Sequence, residues 1–266
     1  MPEGDTVWQT AQALRAALEG KILTACDVRV PRYATVDLTG THVDSVVSRG
    51  KHLMIRVDDA SIHTHLKMEG AWQIYRPGER WRRPAHQARI ILATEDAVAV
   101  GFSLGITEII DRSQEDSVIG HLGPDLLGPN WNPTQARANL DAVGIQPIGT
   151  ALLDQRVLAG LGNIYRNEIC FLRGLHPRTP TTDVPDLDAV VDLSFRIINA
   201  NKDRRIRVTT GDTRRGRETW VYGRAGKPCR RCGTRILDDL LGPDQLTERQ
   251  IFFCPSCQPT TRDWPS

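Results

Sequence analysis

Four cysteines crowd into the last part of a 266-residue chain, as Cys229-x-x-Cys232 and, after 21 intervening residues, Cys254-x-x-Cys257. Two close pairs of thiols are the ligand set of tetrahedral structural zinc. Glycine or proline beside each pair, in Arg-Cys-Gly at 231–233 and Cys-Pro-Ser-Cys at 254–257, lets the backbone turn around an ion. Four sulfur ligands leave no open position, so one zinc is expected per chain, structural and not catalytic, with no organic cofactor. A zinc-dependent hydrolase is thereby disfavoured. Cys26 and Cys170 read as ordinary buried thiols. Between the pairs, Ile236, Leu237 and Leu240, then Ile251, Phe252 and Phe253, suit the two strands of a ribbon. That ribbon places Arg249 near its turn, and a rigidly held guanidinium suits a phosphate.

A second phosphate candidate lies upstream. The glycine-punctuated stretch QRVLAGLGN is followed by IYRNEICFL, so Asn163 is expected to cap a helix whose first amides point outward. The same pattern also fits a helical hairpin turn packed inside a domain. Net charge is only +2, but from Lys202 to Arg224 eight Lys or Arg stand against three Asp or Glu. Such local concentration attracts a polyanion even in a near-neutral chain. Hydrophobic residues at 40% and charged residues at 25% exclude a disordered chain. No apolar stretch is long enough to cross a bilayer and no signal peptide is visible, so a cytoplasmic or nucleoid-associated protein without a membrane partner is expected.

The elements that must position these residues fall into two patterns. Val7, Ala11, Leu14 and Leu18 repeat at helical spacing from Asp5 to about Glu19, with Asp5 or Thr6 as cap and Gly20 as stop. Strands are expected at His52–Val57, Ser61–Leu66, Ala88–Ala93 and Ala97–Phe102. Residues 1–120 therefore read as a β-rich domain, a sandwich carrying one helix on its edge. The Gly-, Pro- and Asn-dense stretch after Gly120 marks a linker at 121–130, and helices follow at 134–142, 148–155, 163–172 and 185–200. Met68 sits between a strand and Gly70, either on an exposed turn or in the core. His63 and His65 alternate on one strand face with no acidic partner or metal spacing to support a catalytic role, and read as structural or as facing a nucleic acid.

Four separated motifs then occur in a telling order: Met1-Pro2-Glu3-Gly4, Gly50-Lys51-His52-Leu53, Gly160-Leu161-Gly162-Asn163-Ile164-Tyr165-x-x-Glu168, and the cysteine module ending Cys254-Pro-Ser-Cys257-Gln258. Together they resemble the formamidopyrimidine-DNA glycosylase/endonuclease VIII family over essentially the whole chain. The resemblance implies an α+β multidomain fold. Its parts would be an N-terminal β-sandwich with an edge helix at 1–120, a helical helix–two-turns–helix DNA-binding domain at 131–224, and a four-cysteine zinc finger on a β-ribbon at 225–266. Position 4 and Gly70-Ala71-Trp72 after His65-Leu66-Lys67-Met68-Glu69 look like the endonuclease VIII branch. The arginine-phenylalanine wedge loop of the 8-oxoguanine enzymes is not visible between Ala97 and Asp111. One departure stands out: the family usually has Pro-Glu where this chain has Asp5-Thr6.

What the resemblance implies is a bifunctional DNA glycosylase and abasic-site lyase that excises oxidised bases, favouring pyrimidines, and cuts by β,δ-elimination. The catalytic roles fall on the Pro2 amine as nucleophile, Glu3 as acid, and Lys51. Asn163 and Arg249 would grip phosphates beside the lesion, and Met68 would fill the gap left by an extruded base. The implied partner is damaged double-stranded DNA, with bubble or single-stranded DNA left open, and the chain is expected to act as a monomer. A rival reading is a non-catalytic or weakly active damaged-DNA-binding protein with the same clamp, to which the Asp5-Thr6 departure lends weight.

Overall fold

Val7, Ala11, Leu14 and Leu18 all lie buried on the inner face of helix α1 (Gly4–Leu18), so the helical spacing in the sequence becomes a packing surface. The computed structural model describes residues 2–260, which divide into two units, one ending at His121 and one beginning at Leu122. Met1 and the last six residues of the expected 225–266 finger lie outside the described residues. Among the described residues, no helix is long and apolar enough to cross a membrane.

In the first unit α1 is followed by β1 (Ala25–Val28), β2 (Val43–Arg49), β3 (His52–Val57), β4 (Ala60–His65), β5 (Ala71–Tyr75), β6 (Ala88–Ala93), β7 (Val98–Phe102) and β8 (Ile106–Asp111), then the short helix α2 (Glu115–Ile119). The strands form two antiparallel four-stranded sheets, ordered β1-β6-β7-β5 and β2-β3-β4-β8. Alternation drives Leu53, Ile55, Val57 and Ile62 of one sheet against Ile90, Leu92 and Ala99 of the other. The helix packs on edge strand β2 and reaches edge strand β5, so it closes one open side of the sandwich. Leu14 and Leu18 are wholly buried there, and each contributes about 1.5–3 kcal/mol of transfer free energy.

The start of α1 differs from expectation. Glu3, not Asp5 or Thr6, is the N-cap. The first turn closes as a capping box: the Glu3 amide donates to Thr6 Oγ1 at 3.4 Å, and the Glu3 side chain accepts from the Thr6 amide, which also donates to Asp5 Oδ1 at 2.7 Å. A hydroxyl three residues after the cap accepts here from the cap's own amide, one half of a capping box.

The second unit holds α3 (Pro133–Ala142), α4 (Ile148–Ala151), α5 (Asn163–Arg173), α6 (Leu187–Asn199) and a ribbon of β9 (Leu237–Leu241) with β10 (Arg249–Phe253). Asn132 caps α3 with Pro133 behind it, Asp186 caps α6, and Gly174 ends α5 in the left-handed conformation at φ 69°. Leu140, Leu152, Leu161, Tyr165, Ile169, Val190 and Ile198 form the core. The helix expected at 148–155 is a single turn, because Asp154 takes the amides of Arg156 and Val157 and bends the chain. The stretch expected as a linker at 121–130 is packed from Leu122 onward. Leu126 is wholly buried in the helical core, and its amide and carbonyl bond Ala159 and Asn199. The cysteine segment likewise shares a hydrophobic cluster with α5 through Phe171, Val221, Ile236 and Phe252.

Candidate functional site

In the first unit, backbone geometry decides where Pro2 and Lys51 emerge. Arg15 of α1 donates to Val46 O (Nη2 at 2.6 Å, Nε at 3.2 Å), and the Gly20 amide donates to Val43 O at 2.8 Å, so α1 and β2 run antiparallel. From that crossing, helical rise carries the chain back about 20 Å to Pro2, and strand rise carries it forward about 16 Å to Lys51. The N-terminus and the β2–β3 turn therefore come out at one end of the unit. Pro2 is half-buried, while Glu3 and Asp5 are buried. Two carboxyl groups thus sit at the positive end of the α1 dipole. Lys51 follows Gly50, whose φ of 58° makes the tight hairpin turn.

The same end carries Met68. His52 pairs with His65 across β3 and β4, so the turn after His65 lies beside the Lys51 turn. Met68 is 63% exposed on it, which settles the choice between turn and core. Gly70 closes this turn: its amide bonds Leu66 O at 2.9 Å, and a Cβ would stand 2.4 Å from that same oxygen. The β7–β8 connection is only Ser103-Leu104-Gly105, and Leu104 is buried, so no wedge loop projects from it.

Histidines line the outer face of this end. His63, expected without an acidic partner, has one: its Nδ1 lies 3.0 Å from Glu108 Oε2 on β8. The sequence alone does not bring this partner to His63, because the alternation over Ile106–Asp111 is too weak to mark β8. Burial, then the neighbouring imidazoles and Lys67, pushes the His52 pKa down to about 3. Burial, then Lys67 and Lys51, pushes His65 down to about 4. The Lys67 amide donates to His65 Nδ1 at 2.9 Å, so neutral His65 carries its proton on Nε2. Sequence reasoning also passed over Arg80, Arg82 and Arg83, whose loop borders the Met68 turn through an Arg83 bond to Glu69 O at 3.1 Å.

In the second unit, the structure joins Asn163 to the segment bearing Arg249. Gly162 is the N-cap of α5 and Asn163 its first residue, so the expected Asn163 cap is displaced by one. The reason is that the Asn163 side chain is engaged elsewhere: Nδ2 donates to Gln250 O at 2.9 Å, and Oδ1 accepts from Arg166. Arg166 is wholly buried and donates to Arg249 O and Gln250 O, both at 3.2 Å. Asn167 accepts the Phe252 amide at 2.6 Å. These three side chains weld the first turn of α5 to β10, and the exposed Arg249 side chain stands on that weld. Glu168, also wholly buried, accepts the amides of Trp220, Val221 and Tyr222 at 2.7, 2.9 and 2.9 Å, holding the end of the basic run to the helix. Arg166 and Glu168 lay within the quoted motif, but nothing in a lone sequence marks a charged residue as buried.

The sulfurs of Cys229, Cys232, Cys254 and Cys257 all lie within 4.8 Å of one another, with Cys229–Cys257 at 4.0 Å and Cys232–Cys254 at 3.4 Å. Tetrahedral zinc thiolates imply sulfur separations of about 3.8 Å, so the donor set fits one zinc, held closed and structural. Gln258 braces the module, accepting the Cys254 amide at 2.9 Å and donating to Leu175 O at 2.7 Å.

Residues 1–103 match the formamidopyrimidine-DNA glycosylase N-terminal domain and residues 122–198 the H2TH domain of formamidopyrimidine-DNA glycosylase. The chain is 56% identical over 258 residues to the DNA-(apurinic or apyrimidinic site) lyase Nei2 of Mycolicibacterium smegmatis, covering 97% of this chain and 99% of that one. It is 53% identical over 262 residues to endonuclease 8 2 of Mycobacterium bovis, covering 97% and 100%. Among solved structures, a Lactococcus lactis Fpg complex with abasic-site DNA superposes with a TM-score of 0.81 at 23% identity, covering 97% and 100%, a likeness of fold.

Proposed function

The chain belongs to the formamidopyrimidine-DNA glycosylase/endonuclease VIII family, close to the endonuclease VIII branch, and from this premise we infer that it is a bifunctional DNA glycosylase and abasic-site lyase acting on oxidised bases in double-stranded DNA. The observation that carries the residue assignment is the convergence of Pro2, Glu3, Lys51 and Met68 at one end of the first unit.

With Met1 removed, Pro2 presents a secondary amine. A free α-amine titrates at about 7.7–8.0, and the adjacent helix N-terminus disfavours an added positive charge, so a useful fraction is neutral near pH 7. The amine attacks C1′, the damaged base leaves with its bonding electrons and takes a proton, and the sugar ring opens with a proton delivered to O4′. Glu3, buried beside Pro2, is the acid for that proton. The product is a Pro2–C1′ iminium, a covalent intermediate. Loss of a C2′ proton expels the 3′ phosphate, loss of a C4′ proton expels the 5′ phosphate, and water releases the sugar fragment. Lys51 serves removal of the intact base. Met68, apolar and exposed, fills the stack when the nucleotide swings out. Asn163 orients the α5 turn and Arg249 meets the phosphates; zinc holds the ribbon that presents Arg249. Oxidised pyrimidines are the favoured substrates on this reading, since the short Ser103–Gly105 connection carries no wedge.

The test is a lesion panel with base release and strand cleavage measured separately. Faster release of thymine glycol and dihydrouracil than of 8-oxoguanine is the expected outcome. A preference for 8-oxoguanine would overturn the substrate assignment, and binding without release of any base would favour the non-catalytic clamp.

A further inference from the structure

His63 uses both ring nitrogens. Its Nδ1 meets Glu108 Oε2 at 3.0 Å and its Nε2 meets His52 Nδ1 at 2.9 Å. The His52 and His63 ring centroids are 5.1 Å apart with planes 19° from parallel, the geometry of two imidazoles bonded edge to edge. An ionised carboxylate only accepts, so a neutral His63 in this pair carries its proton on Nδ1 and accepts on Nε2. His52 must then donate from Nδ1, which leaves its Nε2 bearing a lone pair. One carboxylate on β8 thus sets the tautomer of two rings on β4 and β3. The far side of Glu108 opens on a cleft of about 370 Å³ shared with Arg32, Arg89 and Thr107.

We propose that Glu108, His63 and His52 form a relay that fixes His52 as a neutral, oriented imidazole and thereby positions the adjoining Lys51 turn for removal of the damaged base. His52 is the residue after Lys51 and the first of β3, so its side-chain anchor is also an anchor for the Gly50–Lys51 turn. The groups facing it are His63 and His65 on β4, His121 after α2, and Lys51 and Lys67 on the two turns. None of these is acidic; the one carboxylate, Glu108, is reached only through His63. A second cation on His52 would be opposed by burial and by its neighbours, which pull it to about 3. The rings do not converge on a metal: among the described residues the four cysteines are the only such group. The three are positioning residues, since none is placed against the sugar or base. The inference rests on the active-site reading of Lys51.

The experiment uses the full zinc-loaded chain and the variants Glu108→Ala, Glu108→Gln, Lys51→Ala and the Glu108→Ala/Lys51→Ala pair. Imidazole ¹⁵N spectra should show His52 and His63 protonated on Nδ1 in the wild type, and Glu108→Ala should shift both toward the Nε2 form. Single-turnover base release should fall about tenfold in Glu108→Ala while abasic-site cleavage holds, and Glu108→Gln, which can still accept from His63, should recover most of the loss. In the Lys51→Ala background, Glu108→Ala should cost nothing further. Unchanged tautomers, equal losses on both substrates, or additive losses in the double variant would each overturn the proposal. Full base release by Lys51→Ala would overturn the active-site reading and the positioning role with it, and the ¹⁵N pattern would distinguish that failure from an absent relay.

Discussion

Two helix N-termini in this chain are built oppositely. That of α1 buries Glu3 and Asp5, so its dipole is met by carboxyl groups from within. That of α5 has no acidic residue in its first turn and instead buries Asn163 and Arg166, with Arg166 bonded into β10. The first arrangement suits proton handling beside an amine. The second keeps the local field positive and suits an anion brought from outside. Under the proposed function, the same secondary structure serves chemistry in one unit and grip in the other, and the side chains of the first turn make the difference.

The largest effect that would sharpen this contrast is loss of the metal. Zinc affinities of finger peptides correspond to about 10–16 kcal/mol, so chelation should disorder the β9–β10 ribbon and abolish tight DNA binding while the sandwich strands keep their amide protection. Elemental analysis should find one zinc per chain; fresh, reduced protein with none would contradict the assignment. Next is Glu168→Ala, which strips the acceptor from the Trp220, Val221 and Tyr222 amides. Each orphaned donor costs about 1–3 kcal/mol, so the second unit should lose about 3 kcal/mol or more in denaturant unfolding. A loss under about 1 kcal/mol would mean the buried carboxylate does not hold the basic segment.

Acid should separate the units. His52 and His65 are held near 3 and 4, and His176 in the second unit near 4, each chiefly by burial. The unfolded chain takes up protons at the ordinary histidine value of 6.5 while the folded chain does not. Stability is therefore unaffected above that value, falls as pH drops below it, and levels once the folded-state values are passed. With two such groups in the first unit and one in the second, amide protection in the sandwich should weaken more than in the α3–α6 helices between pH 6.5 and 4, while the thiolate-held ribbon loses its zinc as its ligands protonate. Equal weakening of the sandwich and of those helices would contradict this. The smallest effect is Arg249→Ala: affinity should fall alike for every sequence, and the salt slope should drop by about one unit.

The local features of the fold are legible in the sequence itself. The period-3.6 run of Val7, Ala11, Leu14 and Leu18 gives α1, and the paired cysteines give the zinc cradle, because both signals are local. What stayed hidden is non-local. The strands β2, β5 and β8 interrupt their apolar residues with polar ones, as at Asp44-Ser45, Gln73 and Thr107-Glu108, and without β8 there is no way to bring Glu108 to His63, 45 residues earlier. The burial of Arg166 and Glu168 depends on the ribbon and loop that fold over them, which no local pattern around α5 announces. The Asp5-Thr6 departure looked like a weakened site. The Thr6 hydroxyl instead takes the Glu3 amide, so this first turn keeps a capping partner without the usual glutamate.

If the α1 end supplies the nucleophile, borohydride reduction on abasic-site DNA traps it there. One covalent adduct is expected, placed by peptide mass spectrometry on the N-terminal peptide beginning at Pro2, and lost in a protein that retains Met1. An adduct on Lys51, or none from a protein that still cuts abasic DNA, would contradict it.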